Sequence, residues 1–486
     1  MSFAQKISTG RPPSLEPTLF SPDSKFFFHI LGTQVQVIAT ATGAVRSVLS
    51  GHNDVVTSVI LNPVNKFQVY TSSFDGTIRL WDYQEAIMLK KLSVGQKIKM
   101  MVMSPLKPIF YLLVASSVRH PTTRAYTEEL VSVHASKLRK DIMLTLRDTV
   151  CMTLAPDGKS LAVVTRSSFM IYDLFEHSFE RFFHPRPLTC LAFHPTEPMV
   201  ATGDCWGHLT LWYLASRQSV PAIAPVTDPA TGKVSAPLPP GVRLQHTKIV
   251  RTTGDQPLAI GAAPKQTDEH WHSDQVGGIC FSPGGEMVLT VGTEGVLVMW
   301  QLATMQRSFL PRLGAPLATV SASPDGIYYA LCTRENAVLM VHVPTNSPKY
   351  EVAALKLGKE KLLTGLVRDP FTGQLAINSR PGAVQFFDPA TNSHVRDLVV
   401  VGTNVVATGD YAAARHRVEH VAFLKPTGDV PPVMVTLTRR SDPMLRFREE
   451  LSLKFWEWNG AQYVQNTCVE VPTITSIACH PTAPWS

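Results

Sequence analysis

GHNDVVTSVILNPVNKFQVYTSSFDGTIRLWDYQEAIMLKKL, residues 51–92, decides how this 486-residue chain folds. Val56, Ser58 and Ile60 alternate with Thr57, Val59 and Leu61, the period-two spacing of a β-strand. Asn62-Pro63 breaks that strand. Asp75-Gly76 makes the next tight turn, glycine supplying a backbone angle that other residues resist. Thr77 to Trp81 is a further strand, ending in an aromatic residue. Gly51-His52, Asp75-Gly76 and Trp81-Asp82 recur together in repeats of about 40 residues that fold as four-stranded propeller blades.

Weaker copies of this WD-repeat pattern run on both sides. Leu19-Phe20-Ser21-Pro22-Asp23 opens one that reaches about Leu49. A divergent copy spans Val94 to Thr145, and Thr149 to Phe183 holds Ala155-Pro156-Asp157-Gly158. Pro187 to Leu214 ends near Trp212, His272 to Leu302 near Trp300, and Leu317 to Val343 carries Ser323-Pro324-Asp325-Gly326. These make about seven blades, a common closure number. The expected fold is all-β: one complete seven-bladed ring over 1–345, then the opening blades of a second over 346–486. Leu362 to Leu398 and Val418 to Trp458 read as two further blades, and Ile474 to Pro481 starts a third. Each blade buries its faces only against neighbours, so two and a half blades cannot close. The chain is therefore expected to be a fragment, or to need another chain to finish the ring. Residues 220–269 interrupt the spacing with Pro237-Leu238-Pro239-Pro240-Gly241 and scattered basic residues, and read as a loop between blades. A partner-binding arm and a disordered spacer both fit.

The apolar fraction of 44% allows real cores, and the charged fraction of 17% is low for a disordered chain. No apolar run is long enough to span a bilayer, and residues 1–13 lack an apolar signal core. Seven scattered cysteines without CxxC spacing argue against both a disulfide framework and a zinc ribbon. The net charge of +7 permits contact with nucleic acid.

His52, Ser73, Asp75 and Trp81 are expected to form a buried structural network, the carboxylate fixing the tautomer of the imidazole and a hydroxyl passing the bonds on to the indole. The His, Asp and Ser also suit a hydrolase, but a satisfied network at repeat spacing accounts for them without catalysis. His270-Trp271-His272 offers two imidazoles at metal spacing, yet stands in the blade-opening slot of His52, so no metal is expected. No phosphate loop, nucleophile elbow, zinc-protease helix or dinucleotide fingerprint occurs, so neither enzyme activity nor cofactor nor small-molecule substrate is expected. Two basic clusters could meet phosphates or a partner: Lys137, Arg139 and Lys140, then Arg439, Arg440, Arg446 and Arg448.

Four stretches resemble one family more closely than the generic repeat: HWHSDQVGGICFSPGGEMVLTVGTEGVLVMWQL (270–302), FLPRLGAPL (309–317), INSRPGAVQFFD (377–388) and ELSLKFWEWN (450–459). Glu294-Gly295 replaces the Asp-Gly turn in the first. The chain resembles, over nearly its whole length, the tandem-propeller WD-repeat subunit of the UtpA (t-Utp) subcomplex of the small-subunit processome. The resemblance implies a nucleolar scaffold that assembles with other UtpA subunits on the 5′ external spacer of pre-rRNA. It would act in early small-subunit maturation, linked to transcription by RNA polymerase I. The family's later helical region, which binds sister subunits, has no counterpart here. Trp206-Gly207 stands where Asp-Gly is expected, and Trp81-Asp82 is the one intact pair of its kind. A WD-repeat adaptor of another assembly, such as a ubiquitin-ligase receptor or a coat subunit, is the alternative, because fold does not fix function.

Overall fold

The computed structural model describes residues 17–119, 126–135, 139–214, 249–250, 265–311, 313–353, 355–356, 363–379, 382–391, 393–402, 415–424, 431–441, 449–474 and 477. They form nine antiparallel blades, each of four strands hydrogen-bonded in chain order. Blade 1 spans Leu19–Ser50, blade 2 Val56–Ser93, blade 3 Ile98–Leu146 and blade 4 Thr149–Phe183. Blade 5 joins Leu188–Tyr213 to Lys265–His270, blade 6 spans Val276–Leu310, and blade 7 Leu317–Ala353. Blades 8 (Val367–Val399) and 9 (Arg415–Val471) follow it in the chain.

What joins the blades is a series of apolar cores, each shared by two neighbours. Successive side chains of a strand point to opposite faces, and here both faces are buried. In blade 2, Val69 and Trp81 pack with Phe28 and Val37 of blade 1, while Tyr70 and Ile78 pack with Phe110 and Leu112 of blade 3. Equivalent cores link blades 3 to 4, 4 to 5, 5 to 6 and 6 to 7. The ring closes where Phe20, Phe27 and Ile38 of blade 1 meet Ala330, Cys332 and Met340 of blade 7. Among the described residues no strand crosses this seam. Polar contacts reinforce it: the Tyr350 hydroxyl donates to the Thr40 carbonyl at 2.6 Å, and the Asp325 amide to Ser24 Oγ at 3.2 Å. Blades 8 and 9 share a further core, with Phe386 and Val384 against Trp456 and Tyr463.

Two expected boundaries shift. The interruption does not lie between blades: Lys265–His270 pairs residue for residue with His208–Tyr213 and is the fourth strand of blade 5, so the insertion leaves from inside that blade. Polar KQTDEH gives no apolar alternation to mark a strand, because an outermost strand has only one sheet neighbour and faces solvent. Residues 249–250, from within the insertion, lie parallel to the outer strand of blade 4; the Pro-rich run itself lies outside the described residues. The first ring also extends past 345, since Ser347–Ala353 completes blade 7 with an exposed, polar strand of the same kind. The expected third blade of the second ring, from Ile474, falls almost wholly outside the described residues.

The chain passes from blade 7 toward blade 8 through Lys356, which is 2% exposed. Its ammonium lies 2.8 Å from Glu351 of blade 7 and 2.6 Å from Asp397 of blade 8. Its backbone is held at both ends by the Gln385 side-chain amide, at 2.9 and 2.7 Å.

Candidate functional site

The polar network of blade 2 is built on a turn and a strand. Gly76, at φ 74°, lets the Asp75 turn close tightly, and this delivers the carboxylate to the loop that opens the blade. His52 Nδ1 lies 3.0 Å from Asp75, and the Asn53 amide donates to the same carboxylate at 3.1 Å. Burial would raise the Asp75 carboxyl, but bonds from Thr77, Asn53 and His52 outweigh it and hold it at about 2. Burial also lowers the His52 imidazole, against the pull of Asp75. His52 is thus a neutral ring donating from Nδ1, and Nε2 accepts the Thr71 hydroxyl at 2.7 Å. Thr71 Oγ1 in turn accepts the Trp81 indole N–H at 2.9 Å.

The hydroxyl at the centre is therefore Thr71, not Ser73. Ser73 sits two residues further along the strand, donates to the Asp54 carbonyl at 3.0 Å and accepts the Asp75 amide at 3.1 Å, bracing the turn. The Thr–Trp bond recurs at 2.9 Å in blade 5 (Thr202–Trp212), blade 6 (Thr290–Trp300) and blade 9 (Thr436–Trp456). Blade 6 completes the network with His272, whose Nδ1 meets Glu294 and whose Nε2 meets Thr290 at 2.8 Å. One methylene longer than Asp, Glu294 occupies the same role from the same turn. His270, by contrast, lies against His208 with ring centroids 4.4 Å apart and planes tilted by 35°, so the two imidazoles of His270-Trp271-His272 serve different contacts. In blade 5 the carboxylate has another partner: Asp204 binds Arg186 at 2.7 Å, and Arg186 also reaches Asp268 at 2.8 Å.

Chemically the network is sealed. Thr71 is 0% exposed and every polar atom on the path from Asp75 to Trp81 is bonded, so the hydroxyl has no route to a substrate. The arrangement orients a loop and ties it to the blade. Of the cavities, one of about 10 Å³ beside Thr18, His29 and Cys332 has room for a water at most. A more open groove of about 350 Å³ runs between the outer strands of blades 1 and 7 and the edge of blade 8.

The basic residues lie on two separate blades. On blade 3, Arg139 is exposed beside Asp141 at 3.2 Å, and the Lys140 ammonium reaches the Val94 carbonyl in the link between blades 2 and 3. Lys137 lies outside the described residues. Lys90 joins this cluster by donating at 3.3 Å to the carbonyl of Ala135, 45 positions later; only the fold brings it there. On blade 9, Arg439 pairs with Glu419 at 2.6 Å and Arg440 with Glu450 at 3.1 Å, so carboxylates answer both charges. Arg446 and Arg448 lie outside the described residues.

Comparison with known proteins bears on the whole ring. The family described as WD repeat-containing protein 75 first beta-propeller matches residues 19–219 and 265–336, more than half of the chain. The gap in that match falls on the insertion within blade 5. Human WD repeat-containing protein 75 is 27% identical over 481 residues, covering 93% of this chain and 50% of its own length. U3 small nucleolar RNA-associated protein 17 of Schizosaccharomyces pombe is 22% identical, covering 93% of this chain and 57% of its own. The chain thus spans about half the length of the curated relatives it matches. Among solved structures, the Cps50 (Swd1) β-propeller domain of Myceliophteria thermophila superposes with a TM-score of 0.47 at 12% identity, covering 67% of this chain and 94% of that one. A closed ring of seven blades, matched by one family over more than half of the chain, places this chain in the family of WD repeat-containing protein 75, whose first β-propeller it carries.

Proposed function

We propose that this chain is a non-catalytic scaffold of the small-subunit processome, acting in early pre-rRNA processing and small-subunit biogenesis within the nucleolus. Family membership across the first ring carries the reading, and the Schizosaccharomyces pombe relative is by name associated with the U3 small nucleolar RNA. The architecture suits the role: the repeat network serves the fold, and the blades offer turns and edge strands as docking surface. In this reading the protein sits in UtpA beside its sister subunits, on or near the 5′ external spacer, with a link to transcription by RNA polymerase I.

Affinity purification of the tagged protein from growing cells tests it. Co-recovery of UtpA subunits with pre-rRNA and U3 RNA is the expected result. Recovery of a cullin adaptor or of coat subunits in their place would overturn it.

A further inference from the structure

Serine followed by proline occurs at Ser21, Ser104, Ser282, Ser323 and Ser347, and threonine is never followed by proline. The first four open the turn after the first strand of a blade, in blades 1, 3, 6 and 7. All four are buried, at most 8% exposed. Their hydroxyls belong to the turns. Ser21 and Ser323 donate to Asp23 and Asp325 at 2.6 and 2.5 Å, and accept the Phe26 and Tyr328 amides at 3.0 and 2.9 Å. Ser104 accepts the Leu106 amide at 3.2 Å, and Ser282 the Met287 amide at 3.1 Å.

Ser347 is the exception. It begins the outer strand of blade 7 and lies within a run of exposed residues from Pro344 to Lys349. Its hydroxyl meets that of Thr345, also exposed, at 2.8 Å. The strand is loosely held here. Ser347 pairs with His342 and Pro348 with Val341, then the register slips and Lys349 is left over, since Tyr350 pairs with Met340. Pro348 has no N–H to give to the ladder, and the far side of an outermost strand faces solvent. Asn346, at φ 45°, turns the chain just before. The firm anchor of the strand is Tyr350, bonded to the Thr40 carbonyl at 2.6 Å. Residues 344–349 therefore lift off as a short extended segment while the seam stays closed, and an acceptor serine enters a kinase cleft in that form.

The flanks of Ser347 point to one class of enzyme. Basic residues are absent from the positions just before it (Pro344, Thr345, Asn346), and acidic ones from those just after it (Pro348, Lys349, Tyr350). The proline that follows is the feature left to recognise. A kinase pocket that takes the pyrrolidine ring and offers no acceptor for a backbone N–H selects it, because another residue there would bury an unpaired donor.

We propose that Ser347 is a phosphorylation site for a proline-directed serine/threonine kinase, with ATP as the phosphoryl donor. The Ser347 hydroxyl oxygen attacks the γ-phosphorus and forms the ester bond. The bond from that phosphorus to the bridging oxygen breaks, ADP leaves with the electron pair, and the hydroxyl proton passes to the base of the kinase. The product sets about −1.5 to −2 charges on the outer edge of blade 7. Lys349, whose ammonium donates to the Tyr328 hydroxyl at 2.9 Å, is the neighbouring cation on the same strand. The site is the same whichever assembly the chain serves.

Incubation of the folded chain with a purified mitogen-activated protein kinase and ATP, followed by peptide mass spectrometry, decides the matter. Phosphate is expected on Ser347, and on the four turn serines only after the chain is unfolded. Ser347→Ala and Pro348→Ala, each checked for the melting curve of the parent, should lower the initial rate of incorporation about tenfold or more. Equal labelling of Ser21, Ser104, Ser282 or Ser323 in the folded chain overturns the proposal. So does an unchanged rate in either variant, or a folded chain that stays unlabelled at Ser347.

Discussion

Tyr350 of blade 7 donates its hydroxyl to the carbonyl of Thr40 in blade 1, joining residues 310 positions apart. Gly43, at φ 74°, lies flat on the Tyr350 ring, where an added Cβ would come within 2.7 Å of the ring edge. This contact belongs to the seam that closes the first ring. Tyr350→Phe removes one hydrogen bond and leaves a buried carbonyl without it, so unfolding free energy should fall by about 1 kcal/mol. Gly43→Ala adds backbone strain to a clash and should cost more, about 1–3 kcal/mol. Denaturant titration of both variants checks the order; equal melting of Gly43→Ala and the parent would contradict this account of the seam.

Thr71 and Ser73 separate the centre of the network from its edge. Thr71→Val keeps shape but leaves the Trp81 indole N–H and the His52 ring nitrogen buried without a partner, and should destabilise by about 1–3 kcal/mol. Ser73→Ala loses only turn bonds and should cost about 1 kcal/mol or less. Thermal melting of the two side by side decides which hydroxyl is central.

His29 gives the fold a pH dependence of its own. The ring is fully buried in blade 1, its Nε2 has no partner, and burial lowers its pKa from 6.5 to about 4. Between those values the unfolded chain binds a proton that the native chain refuses, so stability is complete above pH 6.5 and declines as the pH falls toward 4, by on the order of 3 kcal/mol. Asp75 acts lower: its depressed carboxyl contributes stability above about pH 4 that is lost as the pH falls toward 2. Melting curves of His29→Leu should lose most of the decline from pH 6.5 to 4 and keep the steeper loss below it.

Lys356 predicts how the junction between blades 7 and 8 fails. Lys356→Met takes the cation from the mostly buried Asp397 carboxylate, which keeps His394 at 3.1 Å, and from the exposed Glu351, and should cost roughly 1–3 kcal/mol. Faster limited proteolysis between Ala353 and Val367, with the first ring still intact, is the expected outcome. Adding Glu351→Gln and Asp397→Asn should restore protection in large part; cleavage as fast as in the single variant would show that charge is not what holds the junction.

Much of this architecture could be read in advance, and the reasons differ by residue. The second and third strands of the first-ring blades are largely buried on both faces and the first strands partly so, and their apolar runs and Pro-Asp-Gly or Asp-Gly turns mark them plainly, as in Val56 to Trp81. Fourth strands are visible only through their partners: KQTDEH at 265–270 and SPKYEVA at 347–353 have almost no apolar signal, and both boundaries that shifted fall there. In the network, the side chain that reaches the indole sits ten residues before the tryptophan in blades 2, 5 and 6, a spacing set by the hairpin register; Ser73 lies too near the turn. The partners of Arg186, Lys356 and Lys90 are brought close by packing between blades, and nothing in the order of residues announces them.

The seam between blades 7 and 1 has a mechanical consequence. Every other blade boundary is crossed by a covalent connection as well as by apolar packing, whereas among the described residues this one holds through side chains and a few polar bonds alone. Tension applied through the two ends of the ring would therefore part it here first, opening it into an arc of otherwise whole blades, much as a bracelet gives at its clasp.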